Sequence, residues 1–206
     1  MITLEEIAAH HHADATGFSR HYLTLYAMVL GMEAKQVFEF GCGASTKAIL
    51  AALEKTGGKL LTNDARTLED TGNTWGELGA HRDAGRFEFI HGKSGDAYAR
   101  IREGKFDIVL HDGSHEWRTV ARDLRVVARR VKQNGIILVH DTEHLPTFHL
   151  KLAVWLGMFG RRHDVLTLPY GYGLTIIRIL GNRGLGAVKL EWKKKKGEAV
   201  AAKPGG

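Results

Sequence analysis

Three short runs of this chain carry almost no polar residue: VFEF at 37–40, DIVL at 107–110 and IILV at 136–139. A strand with one face in water alternates apolar and polar side chains. A strand without that alternation is covered on both faces, as in parallel sheets sandwiched between helices. The rest of the chain fits such a layered arrangement. Strand-like runs at 35–41, 59–65, 86–92, 106–112 and 135–141 alternate with stretches at helical spacing. The helical stretches include 45–57, stopped by Gly57-Gly58, then 117–135, stopped by Asn134-Gly135, and 147–160. HDVLTLPYGYGLTIIRIL (163–180) reads as two strands around a Pro/Gly turn. The expected fold class is therefore α/β: a doubly wound mixed sheet, mostly parallel, with an antiparallel C-terminal hairpin and helices on both faces. One domain would cover 1–182, with residues 1–34 as a helical cap.

Composition narrows the setting. No apolar run approaches the roughly 20 residues that span a bilayer, so no membrane partner is expected. The single cysteine, Cys42, excludes an internal disulfide, and the N-terminus lacks the pattern of a secretory signal; a cytoplasmic protein is expected. The net charge is +6, but residues 193–206 hold five Lys and one Glu and so carry +4 of it. That stretch is low in apolar content and belongs to a basic tail, 183–206, which reads as disordered. Nucleic acid is not an expected partner, because the body of the chain is almost neutral.

The most specific local signal is VFEFGCGASTKAIL (37–50). A strand ends at Phe40, Gly41-Cys42-Gly43 follows, and Ser45 or Thr46 opens a helix. Glycines there allow a tight turn and close approach of a ligand to the backbone. Glu39 lies two residues before the first glycine. Asp64 ends the next strand, where a carboxylate can accept both hydroxyls of a ribose; the plainer reading makes it a turn residue. A nicotinamide-dinucleotide site fits less well, since Thr46-Lys47 stand where the last glycine of that fingerprint would fall.

EFGCGAST, FDIVLHDGSHEW and VKQNGIILVHDT together resemble class I S-adenosylmethionine-dependent methyltransferases of the methyltransferase 24 type, a Rossmann-like group related to catechol O-methyltransferase and to antibiotic-tailoring O-methyltransferases. The likeness covers about residues 20 to 180. It implies a cofactor, S-adenosylmethionine, and places Glu39, Gly41, Cys42, Gly43, Ser45 and Thr46 around its methionine part. Asp64 would take the ribose and Ser94 the adenine side, with Asp112 and Gly113 closing the pocket. Many members have a third glycine where Ser45 stands, so Ser45 would bond the cofactor's carboxylate instead.

The pattern H-D-x-x-H occurs twice, at 111–115 and 140–144. In this fold the fourth and fifth strands are neighbours, about 4.8 Å apart, so Asp112 and Asp141 would project side by side. Two such carboxylates repel unless a cation or proton lies between them. The related catechol enzymes hold Mg²⁺ there with two Asp and an Asn; here Asp112 and Asp141 match, and Thr142 takes the Asn position, with Glu143 or His140 able to compensate. The alternative makes both aspartates turn residues. His115 stands where those enzymes carry a Lys base, and an imidazole can take a hydroxyl's proton near neutral pH. His115 and Asp112 are thus the expected catalytic residues. His111 and His140 should point away from the aspartates by strand alternation, into packing. Adjacent His10, His11 and His12 read as surface residues.

Methylation of an oxygen on a small-molecule acceptor, with possible Mg²⁺ assistance, is the expected function. An RNA or protein methyltransferase is one alternative, although an Asn/Asp-Pro-Pro-aromatic motif is absent after the fourth strand, where HDGSH stands. A non-catalytic protein that binds the cofactor or its demethylated product is the other. Trp155 and Phe159, at helical spacing, suit the core or the contact of a homodimer.

Overall fold

The computed structural model describes residues 3–13, 17–147 and 149–181. The expected tail over 183–206 lies outside them, as do the side chains of His10, His11 and His12. Five strands, β1 (Gln36–Phe40), β2 (Lys59–Asp64), β3 (Phe87–His91), β4 (Phe106–His111) and β5 (Val131–His140), run parallel. The last two, β6 (Arg162–Leu168) and β7 (Leu174–Gly181), are antiparallel, and the sheet order is β3-β2-β1-β4-β5-β7-β6. The expected mixed sheet is therefore present. The strand order reverses between β1 and β4, and in open α/β sheets ligands bind at such a switch point, beyond the carboxyl ends of the strands.

The central strands β1, β4 and the second half of β5 bury both faces, which is why their sequences do not alternate. Phe38, Phe40, Val109, Ile137 and Val139 pack on one side against α6 (Trp117–Val127) and α7 (Leu150–Met158). Val37, Ile108, Leu110 and Leu138 pack on the other against α2 (Tyr22–Gly31) and α3 (Ala44–Thr56). Ahead of these comes α1 (Leu4–Ala13), and between β2 and β4 lie α4 (Trp75–Asp83) and α5 (Tyr98–Glu103). Among the described residues no helix is long and apolar enough to cross a membrane.

One element boundary differs from expectation. The helix expected to run to Asn134-Gly135 stops at Val127, and β5 starts at Val131. Val131 pairs with Phe106 and is buried, and the register then slips before Ile108 meets Ile136. Asn134, at φ +64°, lies inside that irregularity. A Cβ on Gly135 would come 2.8 Å from the Asp107 carbonyl. The Asn-Gly pair thus marks a bulge against β4, where backbone approaches backbone, rather than a helix end.

Candidate active site

The turn after β1 is set by backbone packing. Gly41 adopts φ +88°, and a Cβ there would sit 2.2 Å from the Asp112 carbonyl oxygen. Asp112 N–H donates to the Phe40 carbonyl at 2.9 Å and Gly41 N–H to Asn63 at 2.8 Å. The ends of β1, β2 and β4 are thereby locked together. A Cβ on Gly43, by contrast, would meet nothing within 4 Å, so its absence leaves the turn open to a ligand.

Glu39 lies beneath this turn, fully buried. It accepts hydrogen bonds from Ser45 Oγ (2.7 Å), Thr46 Oγ1 (2.7 Å) and Thr62 Oγ1 (3.0 Å). Burial pushes its carboxyl up to about 7, against those three bonds, which favour the anion. Ser45 and Thr46 are both buried and their hydroxyls donate to Glu39, so they brace the turn from below, while Ser45 also lines a small space beside Gly41, Cys42 and Gly43. Cys42 contributes its backbone N–H, donated to Asp64 Oδ2 at 2.8 Å, while burial raises its thiol to about 11.

Asp64 also holds a partner that the sequence reading passed over. Arg66 approaches it through Nη2 (2.8 Å) and Nε (3.1 Å), and the Arg66 backbone N–H adds a third bond at 2.8 Å. Burial would raise the Asp64 carboxyl, but the Arg66 bonds and the Cys42 N–H hold it below its ordinary value. Asp64, Gly41, Ser94, Asp112, Gly113 and His115 share the walls of one cavity of about 610 Å³ at the carboxyl end of the sheet. Of the expected cofactor residues, Gly41, Asp64, Ser94, Asp112 and Gly113 line this space, whereas Cys42, Gly43 and Ser45 line a smaller one of about 180 Å³ that shares Gly41, Arg66 and Asp112 with it.

The second half of the site joins β4 to β5. His115 Nε2 lies 2.6 Å from Asp141 Oδ2. His140 Nδ1 lies 3.1 Å from Asp112 Oδ1 and 3.1 Å from Asp141 Oδ1, and its Nε2 is 2.9 Å from the Gly171 carbonyl. The alternation argument therefore holds for His111, which is buried and bonded to Asp123, and fails for His140. The reason is local: the chain leaves the strand at Asp141, which takes φ +60°, so its carboxylate turns back to the side of His140. His21, fully buried, places its own Nε2 3.2 Å from the same Gly171 carbonyl.

The charges follow from these contacts. The hydrogen bond to Asp141 raises His115 above its ordinary value, against burial. Burial alone would lower His140, but the bonds and charges of Asp112 and Asp141 push it up to about 10. Burial would raise Asp141, yet His115 and His140 hold it well below the usual carboxylate range. Burial, then the charge of His140, lowers His21 to about 4.

Of the expected metal ligands, Asp112 and Asp141 come together and Thr142 stands apart from them. Thr142 is fully buried and its Oγ1 accepts from Thr175 Oγ1 at 2.8 Å, while Glu143 pairs with Lys151 at 2.7 Å. The donors that do converge are Asp112, Asp141 and His115, with ligand atoms within 4.8 Å of one another. Mg²⁺ is usually held by one or two carboxylates and several waters, and the two carboxylates here are Asp112 and Asp141, both already contacted by Nδ1 of His140.

Comparison with known proteins agrees with this construction. The family model described as a methyltransferase domain, methyltransferase 24, matches residues 38–142. The chain belongs to this family. The match runs from within β1 past the end of β5 and includes the glycine turn of this methyltransferase. No curated protein matches it in sequence. Among solved structures, an O-methyltransferase from Bacillus cereus in complex with S-adenosylhomocysteine is 14% identical, with a TM-score of 0.65 over 85% of this chain and 90% of that one. The O-methyltransferase TomG of Streptomyces achromogenes, involved in tomaymycin synthesis and solved with S-adenosylmethionine, is 15% identical, with a TM-score of 0.63 over 86% and 89%. A methyltransferase from Podospora anserina is 19% identical, with a TM-score of 0.60 over 82% and 81%. At these identities the likeness is one of fold.

Proposed function

We propose that this methyltransferase moves the methyl group of S-adenosylmethionine to a hydroxyl oxygen of a small molecule. The observation that carries the reading is that His115, hydrogen-bonded to Asp141 at 2.6 Å, stands on the wall of the cavity that also holds Asp64, Gly41 and Gly113. The cofactor, when bound, supplies an electrophilic methyl. Gly41 and Gly43 would let it approach the backbone, and Asp64 would exchange its Arg66 bonds for the ribose hydroxyls. His115, oriented by Asp141, would take the acceptor's proton as the oxygen attacks. Asp112, at the junction of the two halves, would position that oxygen. Holding donor and acceptor in line supplies much of the rate, since well-oriented reactants gain up to about 7–11 kcal/mol. The exposed rings of Trp155 and Phe159, 5.7 Å apart on the outer side of α7, support a homodimer, which sedimentation would test.

The test is calorimetric titration with S-adenosylhomocysteine, followed by a screen of phenolic and aliphatic hydroxyl acceptors with labelled S-adenosylmethionine. Micromolar binding that is lost in Asp64→Ala, together with methyl transfer to oxygen, is expected. Absence of binding to the folded protein overturns the reading.

A further inference from the structure

His115 and Asp141 are 26 residues apart in sequence and meet at 2.6 Å. A reacting pair must be held to within about 0.5 Å of its productive geometry. Neither residue sits inside a regular element: His115 lies between β4 and α6, and Asp141 follows β5. The His115 side chain is 49% exposed, so packing alone does not fix it. Its neighbours bond locally. Glu116 N–H donates to Ser114 Oγ at 3.2 Å, and the Glu116 carboxylate accepts from the first turn of α6.

The ties that reach further come from one short segment after β5. Thr147 Oγ1 donates to the Asp141 carbonyl at 2.6 Å. His149 Nε2 lies 2.8 Å from the His115 carbonyl, which can only accept, so the ring donates there. A neutral ring with its proton on Nε2 makes this bond as a charged ring does. Thr147 closes the turn Leu145–Thr147, and His149 directly precedes α7. The His149 carbonyl accepts from Ala153 N–H at 3.1 Å, which fastens the residue to the helix. The helix is itself seated tightly: a Cβ on Gly157 of α7 would come 2.6 Å from Leu124 Cβ of α6. Two donors on one well-packed segment thus grip the backbone carbonyls of both residues and leave their side chains to the reaction.

We propose that Thr147 and His149 form a clamp that sets the separation of His115 and Asp141, and that both are positioning residues for proton transfer from the acceptor. The inference rests on the reading of this site as an O-methylation centre. The clamp acts through peptide groups, so it needs no contact with either reactant and does not depend on the charge beside the carboxylates. It works on distance: a reacting group misplaced by about 1 Å can lose about 10²-fold in rate.

The full chain is crystallised with S-adenosylhomocysteine, unsubstituted and as Thr147→Val and His149→Phe, which keep the shape and remove the donor. Methyl transfer from labelled S-adenosylmethionine is measured in parallel, with the phenolic or aliphatic hydroxyl acceptor that the unsubstituted chain turns over fastest. In each variant the separation of His115 Nε2 and Asp141 Oδ2 should open beyond about 3.5 Å, outside hydrogen-bond range. The kcat should fall by about 10–10²-fold, with KM for S-adenosylmethionine changed by less than about twofold. Thr147→Ser and His149→Gln, which return a donor at similar reach, should restore most of the rate. An unchanged separation in both Thr147→Val and His149→Phe overturns the proposal, whatever the rate. So does a rate loss that the donor-restoring variants do not repair, or one matched by an equal loss of cofactor affinity, since either marks a merely structural role. Thr147→Val decides if His149→Phe does not fold. Absence of turnover by the unsubstituted chain strikes the functional reading alone, and the separation still decides for the clamp; turnover with an unchanged separation strikes the clamp alone.

Discussion

Glu39 and Asp141 are both buried carboxylates at carboxyl ends of neighbouring parts of one sheet, and the protein drives them in opposite directions. Glu39 faces three hydroxyls, from Ser45, Thr46 and Thr62, and burial carries it up to about 7. Asp141 faces two imidazoles, His115 and His140, and is held well below the usual range. Neutral donors satisfy a carboxylate without cancelling its desolvation, whereas cationic donors do both. The difference divides the site by task. The half around Glu39 is a static brace for the glycine turn, against which the proposed cofactor would lie. The half around Asp141 is a hydrogen-bonded chain, from the Gly171 carbonyl through His140 and the Asp141 carboxylate to His115, suited to accepting a proton at His115.

The two halves meet at Gly41, and the largest expected effect comes from breaking that joint. Gly41→Ala places a Cβ 2.2 Å from the Asp112 carbonyl at a φ of +88°. Such strain and overlap should cost about 3 kcal/mol or more, which lowers the Tm by about 6–12 °C in a chain of this size. Scanning calorimetry checks it; an unchanged Tm would mean that β1 and β4 do not pack backbone to backbone. Next in size is His115→Ala, which removes the proposed base and leaves the brace intact. It should lower kcat by about 10²–10⁴-fold, with S-adenosylhomocysteine affinity unchanged in calorimetry. In the unsubstituted enzyme kcat/KM should rise with pH through a pKa above the ordinary histidine value, because Asp141 stabilises the protonated His115. Asp141→Asn removes that bond and should move the profile to lower pH.

The contrast between the halves also marks what the sequence could disclose. β1, β4 and β5 are legible because strands covered on both faces cannot alternate, and Gly41 because a strand-to-helix turn demands it. His115 is legible because its loop follows a strand end at the sheet edge. The role of His140 is not, since alternation sends it away from Asp141 and only the left-handed backbone at Asp141 brings the two together. The backbone on either side of Asp141 is tied to distant residues, His140 being paired with Leu174 and Glu143 N–H donating to the Tyr172 carbonyl. Arg66 on Asp64 is a two-residue spacing and was open to inspection, as was α4, whose Thr74 and Glu77 cap each other in the T-x-x-E manner. The hydroxyls beneath Glu39 carried a signal, Ser45-Thr46, that the ligand's carboxylate claimed first.

A stability measurement separates the two carboxylates further. For Glu39 the folded pKa is raised, so its contribution is complete below about 4.5 and is lost as pH rises toward about 7. For His140 the folded pKa is also raised, so its contribution is complete below about 6.5 and is lost as pH rises toward about 10. Differences in Tm between the unsubstituted chain and each variant should therefore shrink in two successive windows, the lower for Glu39→Gln and the upper for His140→Gln. A His140→Gln difference that stays flat from pH 7 to 10 would mean that the imidazole is neutral in the fold.

The smallest expected effect concerns the pair that closes the cofactor side. Arg66 is bonded to Asp64 through Nη2 and Nε, yet its side chain is 56% exposed. Exposed ion pairs contribute about 0.2–1 kcal/mol, because solvent screens them and a long side chain must be ordered to make them. A ribose that takes Asp64 must displace the guanidinium at that cost. Arg66→Ala removes the competitor while leaving Asp64 and the Cys42 N–H in place. It should tighten S-adenosylhomocysteine binding by at most about fivefold, the affinity equivalent of 1 kcal/mol. Weakening by more than about tenfold would instead assign Arg66 a direct contact with the cofactor, and the brace half of the site would then include a cation of its own.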